Sequence, residues 1–430
     1  MNREPWTVTS FDAVTIHRSP FTLHPYISGM PAPRRILLVD ADAFFVAVAR
    51  LVDPEGAGRA PLLIVGGTPG SRGVVCSASY ETRKFGVRSA MPISRALRLC
   101  PDAMCVPVPR GECSKKHREI RAVLERFAPV VQAASIDEWY LDLGGTEALY
   151  DDAPLEVVAR RIRNAVIAET GLTVSIGGGT SKLVAKLAVE RAKPSKGANG
   201  VHVVPAGGEL AFMRELELRD IPGIGPKTNA RLAERGLKRI EDVLALDRAA
   251  LERLVGEGDA EWLSARVQGV DDGEVEETDV VKSISRDETF ATDINDDLLL
   301  EGELTELAGR AAADLRSDGL MARTVTVRIR DKDFTNRSAS RTVDESLRSD
   351  RAIFTVAREL LHKLRRARRV PARLLSVALT NFTPPPATQL GLFEAGVRRL
   401  ETEKDIEVSR AMDAVRARFG RDAIAPGRKR

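Results

Sequence analysis

Three carboxylates in this sequence have the types and positions to do chemistry. Asp40 closes the apolar run RRILLVD, and the adjacent pair Asp137 and Glu138 sits inside VVQAASIDEWYLDL, at a tight turn between two apolar stretches. A carboxylate at the end of a buried strand costs desolvation energy unless positive charge balances it. Three meeting at one point would repel one another, and magnesium removes that conflict because it favours a few carboxylates together with phosphate oxygens. A pair of such ions can lower the pKa of a hydroxyl nucleophile and hold a triphosphate while pyrophosphate leaves. The plainer account is that each acid caps a turn and faces water. Spacing by itself leaves their convergence open.

The elements that must position these acids follow from hydrophobic periodicity. A strand is expected at Arg35 to Asp40, followed at once by the helix FFVAVARLV. PLLIVGG and RGVVCSASY read as strands, and ETRKFGV and ISRALRLC as helical segments. Helices follow at Glu112 to Phe127 and at Pro154 to Glu169, then the strand LTVSIGGG and the helix SKLVAKLAVERA. Strands alternating with helices predict an α+β or α/β catalytic domain. Beyond Pro205 the pattern is helical to about Gly269, and DDGEVEETD reads as an exposed linker. A second mixed region follows, with strands at RDETFATD, TVTVRIR, RSASRTV and LLSVALTNF and helices near 297–317 and 351–369. The chain then ends in a proline-rich breaker and a charged tail.

The 430 residues, 43% of them hydrophobic, are enough for several cores. A formal charge of +4 is too small to imply a polyanionic partner on its own. Local charge tells more. Between Met321 and Arg373 there are fifteen Lys or Arg against six Asp or Glu. Arg328 and Arg330 alternate along TVTVRIR and so share one face, which suits tracking a phosphate backbone. Cys76, Cys100, Cys105 and Cys113 lack a paired C-x-x-C spacing and read as buried reduced thiols rather than a zinc site. No apolar stretch is long enough to span a bilayer, and no secretory signal opens the chain. A cytoplasmic, nucleoid-associated monomer is expected. Met30 precedes the first strongly patterned stretch, so the leading residues are either a flexible extension or a product of start-site choice.

IPGIGPKT sits between helical segments and reads as a helix-hairpin-helix. Its glycines allow close backbone approach, so Gly223, Gly225 and Lys227 are the expected contacts to DNA phosphates. After the breaker, an exposed Leu-Leu-Phe cluster in QLGLF is unfavourable unless it docks on something.

VDADAFFVAV, SYETRKFGVRSAMPISRA, SIDEWYLDL, SKLVAKLAVERAKP and DIPGIGPKT occur in the order found in Y-family DNA polymerases, and the chain resembles the DNA polymerase IV branch over about 35–384. The resemblance implies a multidomain α+β protein, a right-hand polymerase with palm, fingers, helical thumb and an α+β little finger. Its divisions are expected at 1–33 (flexible extension), 34–44 with 110–204 (palm), 45–109 (fingers), 205–270 (thumb), 271–285 (linker), 286–384 (little finger) and 385–430 (tail). It implies error-prone translesion synthesis on primer-template DNA from deoxynucleoside triphosphates, with two Mg2+ ions and no proofreading exonuclease. Asp40, Asp137 and Glu138 would bind the metals, with Glu138 essential to catalysis and the Ala41 carbonyl on the nucleotide-bound ion. Asp42 reads as structural. Phe45 matches the steric gate that excludes a ribose 2′-hydroxyl, and Phe44 would pack beside the nucleotide. Tyr80, Arg83 and Lys186 match the residues that grip the triphosphate, a role suited to forked guanidinium and mobile ammonium groups. Lys182 is a weaker candidate. Gln389, Leu390, Leu392 and Phe393 resemble the peptide that bacterial replication proteins insert into the β sliding clamp.

Ala43, Ala49, Trp139 and the glycines at 177–179 depart from the common family pattern without removing a metal ligand. Two rival functions remain. A nucleotide cyclase would have little use for the hairpin, the basic region or the clamp peptide. A non-catalytic adaptor recruited to the clamp would tend to lose the acids, all of which are present.

Overall fold

The computed structural model describes residues 33–276, 280–384, 400–420 and 423–424. The first strand, β1 (Ile36–Ala41), is buried along nearly its whole length and leads into α1 (Phe44–Val52). The turn between them carries Ala43 in the left-handed region at φ 45°, a conformation that costs energy for a residue with a Cβ. Next comes a small sheet of β2 (Leu63–Gly66), β3 (Val75–Ala78) and β4 (Met104–Val106), with the short helix α2 (Tyr80–Arg83) and α3 (Ile93–Leu99) between the last two. β2 is its middle strand. The helix expected over ETRKFGV is only one turn long, because Ser79 caps it and the chain turns at Gly86, φ 86°. β4 escaped the periodicity argument because three residues are too few to show alternation. Ala49 is buried in one cluster with Leu63 and Val65 of this sheet.

The central sheet adds β5 (Val130–Ala133), β6 (Glu138–Asp142), β7 (Val174–Gly179) and β8 (Val201–Val203), in the order β5-β6-β1-β7-β8. Helices α4 (Arg110–Leu124) and α5 (Leu155–Thr170) cover one face, meeting Leu37 and Val39. Helix α6 (Lys182–Ala192) covers the other, meeting Ile36 and Leu38 through Ala185 and Val189. The glycine run now has a reason: a Cβ on Gly177 would lie 2.2 Å from the Ala185 carbonyl oxygen and from the Val189 nitrogen. Only a bare backbone lets α6 press onto β7.

Five short helices follow: α7 (Glu209–Arg214), α8 (Pro226–Glu234), α9 (Ile240–Leu244), α10 (Arg248–Val255) and α11 (Glu257–Val267). They share a core with Leu183 and Leu187 of α6. The last sheet contains β9 (Ser283–Ile294), β10 (Met321–Asp331), β11 (Asn336–Leu347) and β12 (Ala372–Thr383), antiparallel in the order β11-β10-β12-β9. Helices α12 (Asp297–Ser317) and α13 (Asp350–Ala367) bury one face of it. The charged end of the chain, read as a tail, contains a further helix, α14 (Glu403–Phe419), which docks back on this unit. Arg316 of α12 forks onto Asp413 of α14 at 2.7 and 2.9 Å, and Glu401 accepts the N–H of Ser349 at the start of α13. Such long-range ion pairs leave no local pattern.

The cysteines are free thiols, but the expectation that all are buried is corrected: Cys100 and Cys113 are, Cys105 is half-buried and Cys76 is exposed. Among the described residues no helix is long and apolar enough to cross a membrane.

Candidate active site

The pairing of β1 with β6 brings the three acids to one end of the central sheet. Asp40 faces Glu138 across that pair, and the N–H of Ala41 donates to the Asp137 carbonyl oxygen at 2.9 Å. Register sets this arrangement: Ile36 and Leu38 pack against α6 and Leu37 and Val39 against α4 and α5, and a slip of one residue would exchange the two sets.

Each charge has a partner. Lys186 of α6 donates to both oxygens of Glu138, at 3.0 and 2.9 Å. Lys193, just past the end of α6, is paired with Asp40. The Asp137 carboxylate accepts the Ser135 hydroxyl at 2.5 Å. Burial pushes the Asp40 pKa up from the usual aspartate range to about 7, with Lys193 opposing the rise and Glu138 and Asp137 adding to it. Three half-buried acids crowded at one strand end are an arrangement that a cation would relieve. Three carboxylates beside a strand-end carbonyl are hard oxygen donors of the kind magnesium takes. Among the described residues no three acidic, histidine or cysteine side chains stand at ligand spacing; Glu138 and Asp40 are each paired with a lysine.

Asp42 is buried and accepts the Ser175 hydroxyl at 2.7 Å; its other oxygen has no hydrogen-bond partner among the described residues. Phe45 is half-buried on the first turn of α1 and meets Phe44 edge to face, with centroids 5.6 Å apart. Phe44 itself is 2% exposed in the core with Leu37, Val39 and Val48. From there its ring braces Phe45. Tyr80 opens α2 close enough to feel the acids. Burial, then Asp42, push its hydroxyl up to about 12; Asp40 adds to this and Arg83 opposes it. The Arg83 guanidinium lies over the Tyr80 ring at 5.4 Å and donates to the Ala78 carbonyl. Lys182 is turned elsewhere, bound to Gln132 at 2.7 Å and stacked over Tyr140.

Lys193 is the residue that the sequence reading missed. Its signal was present as the last lysine of AKLAVERAKP, next to the proline that stops α6.

The expected DNA contacts lie in other units. Gly223 (φ 100°) and Gly225, which precedes α8, are exposed, as is Lys227. Arg328 is paired with Asp287 at 2.6 Å, and Arg330 donates to Asn336 at 2.9 Å. The segment Gln389, Leu390, Leu392 and Phe393 lies outside the described residues.

Three family models match the chain. Residues 39–190 match the model of the impB/mucB/samB family and residues 281–392 its C-terminal domain. Residues 215–262 match a SAM-like helix-hairpin-helix tandem. A DNA polymerase IV of Dehalococcoides mccartyi is 36% identical over 92% of this chain and 97% of that protein. Another, from Caulobacter vibrioides, is 34% identical over 91% of this chain and 93% of its own. Among solved structures, a Y-family polymerase chimera of Dbh and Dpo4 superposes with TM-score 0.73 at 27% identity, covering 82% of this chain and all of that one. DinB from Sulfolobus solfataricus does so with TM-score 0.55, at the same identity and coverage.

Proposed function

The chain belongs to the Y family of DNA polymerases, in its DNA polymerase IV group, and from that premise we propose that Asp40, Asp137 and Glu138 hold two magnesium ions where a deoxynucleotide joins a primer 3′ end. It is a DNA-directed DNA polymerase of the translesion type. The observation that carries the finer reading is the junction of β1 and β6, where Asp40 faces Glu138 and Ala41 binds the Asp137 backbone. When bound, magnesium supplies activation of the primer hydroxyl and neutralisation of the departing pyrophosphate.

The protein's own groups do the rest. Lys186 and Lys193 neutralise carboxylates now and, once a cation takes over that task, become free charges at the rim of the same site. Beside Tyr80 and Arg83 they form a cationic cradle for a triphosphate, the positioning on which phosphoryl transfer depends. Phe45, fixed by Phe44, excludes a ribose 2′-hydroxyl. Gly223, Gly225 and Lys227 bind phosphates of the duplex, and Arg328 and Arg330 follow its backbone by exchanging Asp287 and Asn336 for phosphate. Gln389, Leu390, Leu392 and Phe393 dock on a bacterial β sliding clamp, which raises the local polymerase concentration at a primer end. Synthesis runs without proofreading.

The test is primer extension by the purified chain with magnesium, over intact and lesion-bearing templates, with and without clamp. Asp137→Ala is expected to abolish extension, and deletion of 389–393 to abolish only its stimulation by clamp. Extension that survives Asp137→Ala would reject the metal assignment.

A further inference from the structure

The turn that carries Asp137 and Glu138 is held through three consecutive carbonyl groups. The Ile136 carbonyl is 2.9 Å from Nδ1 of His117, the Asp137 carbonyl accepts the N–H of Ala41, and the Glu138 carbonyl accepts the N–H of Ala134. Two of these bonds are backbone to backbone within the sheet. The third comes from a side chain on α4, and it fixes the residue immediately before the first catalytic acid. Nδ1 must be the protonated nitrogen there, since a carbonyl oxygen only accepts.

The same imidazole makes a second contact on the other side of the acids. Its ring stacks on Trp139, the residue after Glu138, with centroids 5.0 Å apart and planes 28° from parallel. Trp139 is fully buried, and its indole N–H has no hydrogen-bond partner among the described residues, so its side chain is held by packing in the core, the His117 ring included. A large ring stands here where the family pattern has a small residue, and His117 is what it packs against. One side chain thus grips the backbone before Asp137 and the ring after Glu138.

We infer that His117 is a positioning residue for the two acids: it holds the 135–138 turn and so limits where both carboxylates can stand when a divalent cation binds. The inference rests on the proposed metal role of Asp137 and Glu138. Misplacement of a catalytic group by a fraction of an ångström to one ångström is enough to cost roughly ten- to a hundredfold in rate. His117 touches neither substrate nor metal, so its effect must run through the acids.

Two substitutions separate the bond from the stack. His117→Asn puts an amide N–H at the position of Nδ1 but removes the ring. His117→Phe keeps a ring against Trp139 but cannot donate. Mn2+ binding, read by electron paramagnetic resonance of the free ion with no DNA or nucleotide present, is measured on the full chain beside the melting temperature. The Asn variant is expected to bind Mn2+ within about threefold of the unmodified chain, and the Phe variant to bind at least about tenfold more weakly. Primer extension should show the same order, with the Phe variant recovering at high metal. Overturning results would be a Phe variant that binds Mn2+ normally, or Asn and Phe variants equally weakened. Asp137→Ala is the control. If the unmodified chain binds no more Mn2+ than that variant, the metal reading itself fails and takes the inference with it.

Discussion

Lys193 rests its ammonium on the carboxylate of Asp40, across the junction between the end of α6 and the central strand. Both side chains are largely buried, so solvent screens the pair little. Lys193 is the charge that keeps the Asp40 pKa from rising further. Replacing Lys193 with Met should therefore move the acidic limb of the pH–rate profile to higher pH. It should also raise the apparent KM for the incoming nucleotide, by roughly tenfold or more for the loss of one phosphate-binding cation. Steady-state extension at several pH values reads both, and an unmoved acidic limb would reject the coupling.

The raised pKa of Asp40 has a consequence for stability. Its folded value, about 7, lies above the unfolded value of 3.8, so between the two the folded state binds more protons. Stability contributed by this site therefore falls as pH rises through that window, and the penalty is fully present above pH 7. Asp40→Asn removes it. Without divalent metal, the variant should melt above the unmodified chain at pH 8. The gain should build up across the window, by at most about 1.4 kcal/mol as the pH rises by one. Toward pH 4 the two melting curves should converge. A gap independent of pH would show that the penalty lies elsewhere.

Phe45 is half-buried and braced by the buried Phe44 ring. Phe45→Ala should raise ribonucleotide incorporation by about a hundredfold or more, the size expected when a steric clash is removed from a tight pocket. Single-nucleotide extension with paired ribo- and deoxynucleotides measures it. Unchanged sugar selectivity would reject the steric gate.

Gly223 holds φ at 100°, and a Cβ there would lie 2.9 Å from the Trp262 ring. Gly223→Ala should destabilise the helical unit by about 1–3 kcal/mol through strain and overpacking. It should also weaken duplex binding without regard to sequence, as loss of phosphate contacts does. Calorimetry and a salt series of DNA binding read the two effects. Full DNA affinity in a folded variant would remove the hairpin from the interface.

The legible part of the molecule was whatever is encoded locally. The unbroken apolar run in RRILLVD and the 3.6-residue period of SKLVAKLAVERA follow from burial of both faces of a strand and of one stripe of a helix, so β1 and α6 could be read without a partner in view. The ordered acidic motifs likewise pointed to Asp40, Asp137 and Glu138, which β1 and β6 bring to one end of the sheet. Some features were present in the sequence but had no stated reason. Gly177 and Gly179 looked anomalous until α6 was seen lying on β7, Gly178 until Leu37 and Val203 were found against it, and Trp139 until His117 was.

By itself, then, the sequence determined most of the elements, though not β4 or α14, with their order and the family, because side-chain type and period dictate what must be buried nearby. Tertiary structure alone decided which lysine answers which carboxylate, that Phe44 belongs to the core, and that α14 returns to the last sheet. Those are contacts between residues far apart in the chain. Their geometry depends on sheet register and helix docking, and no local pattern carries that information.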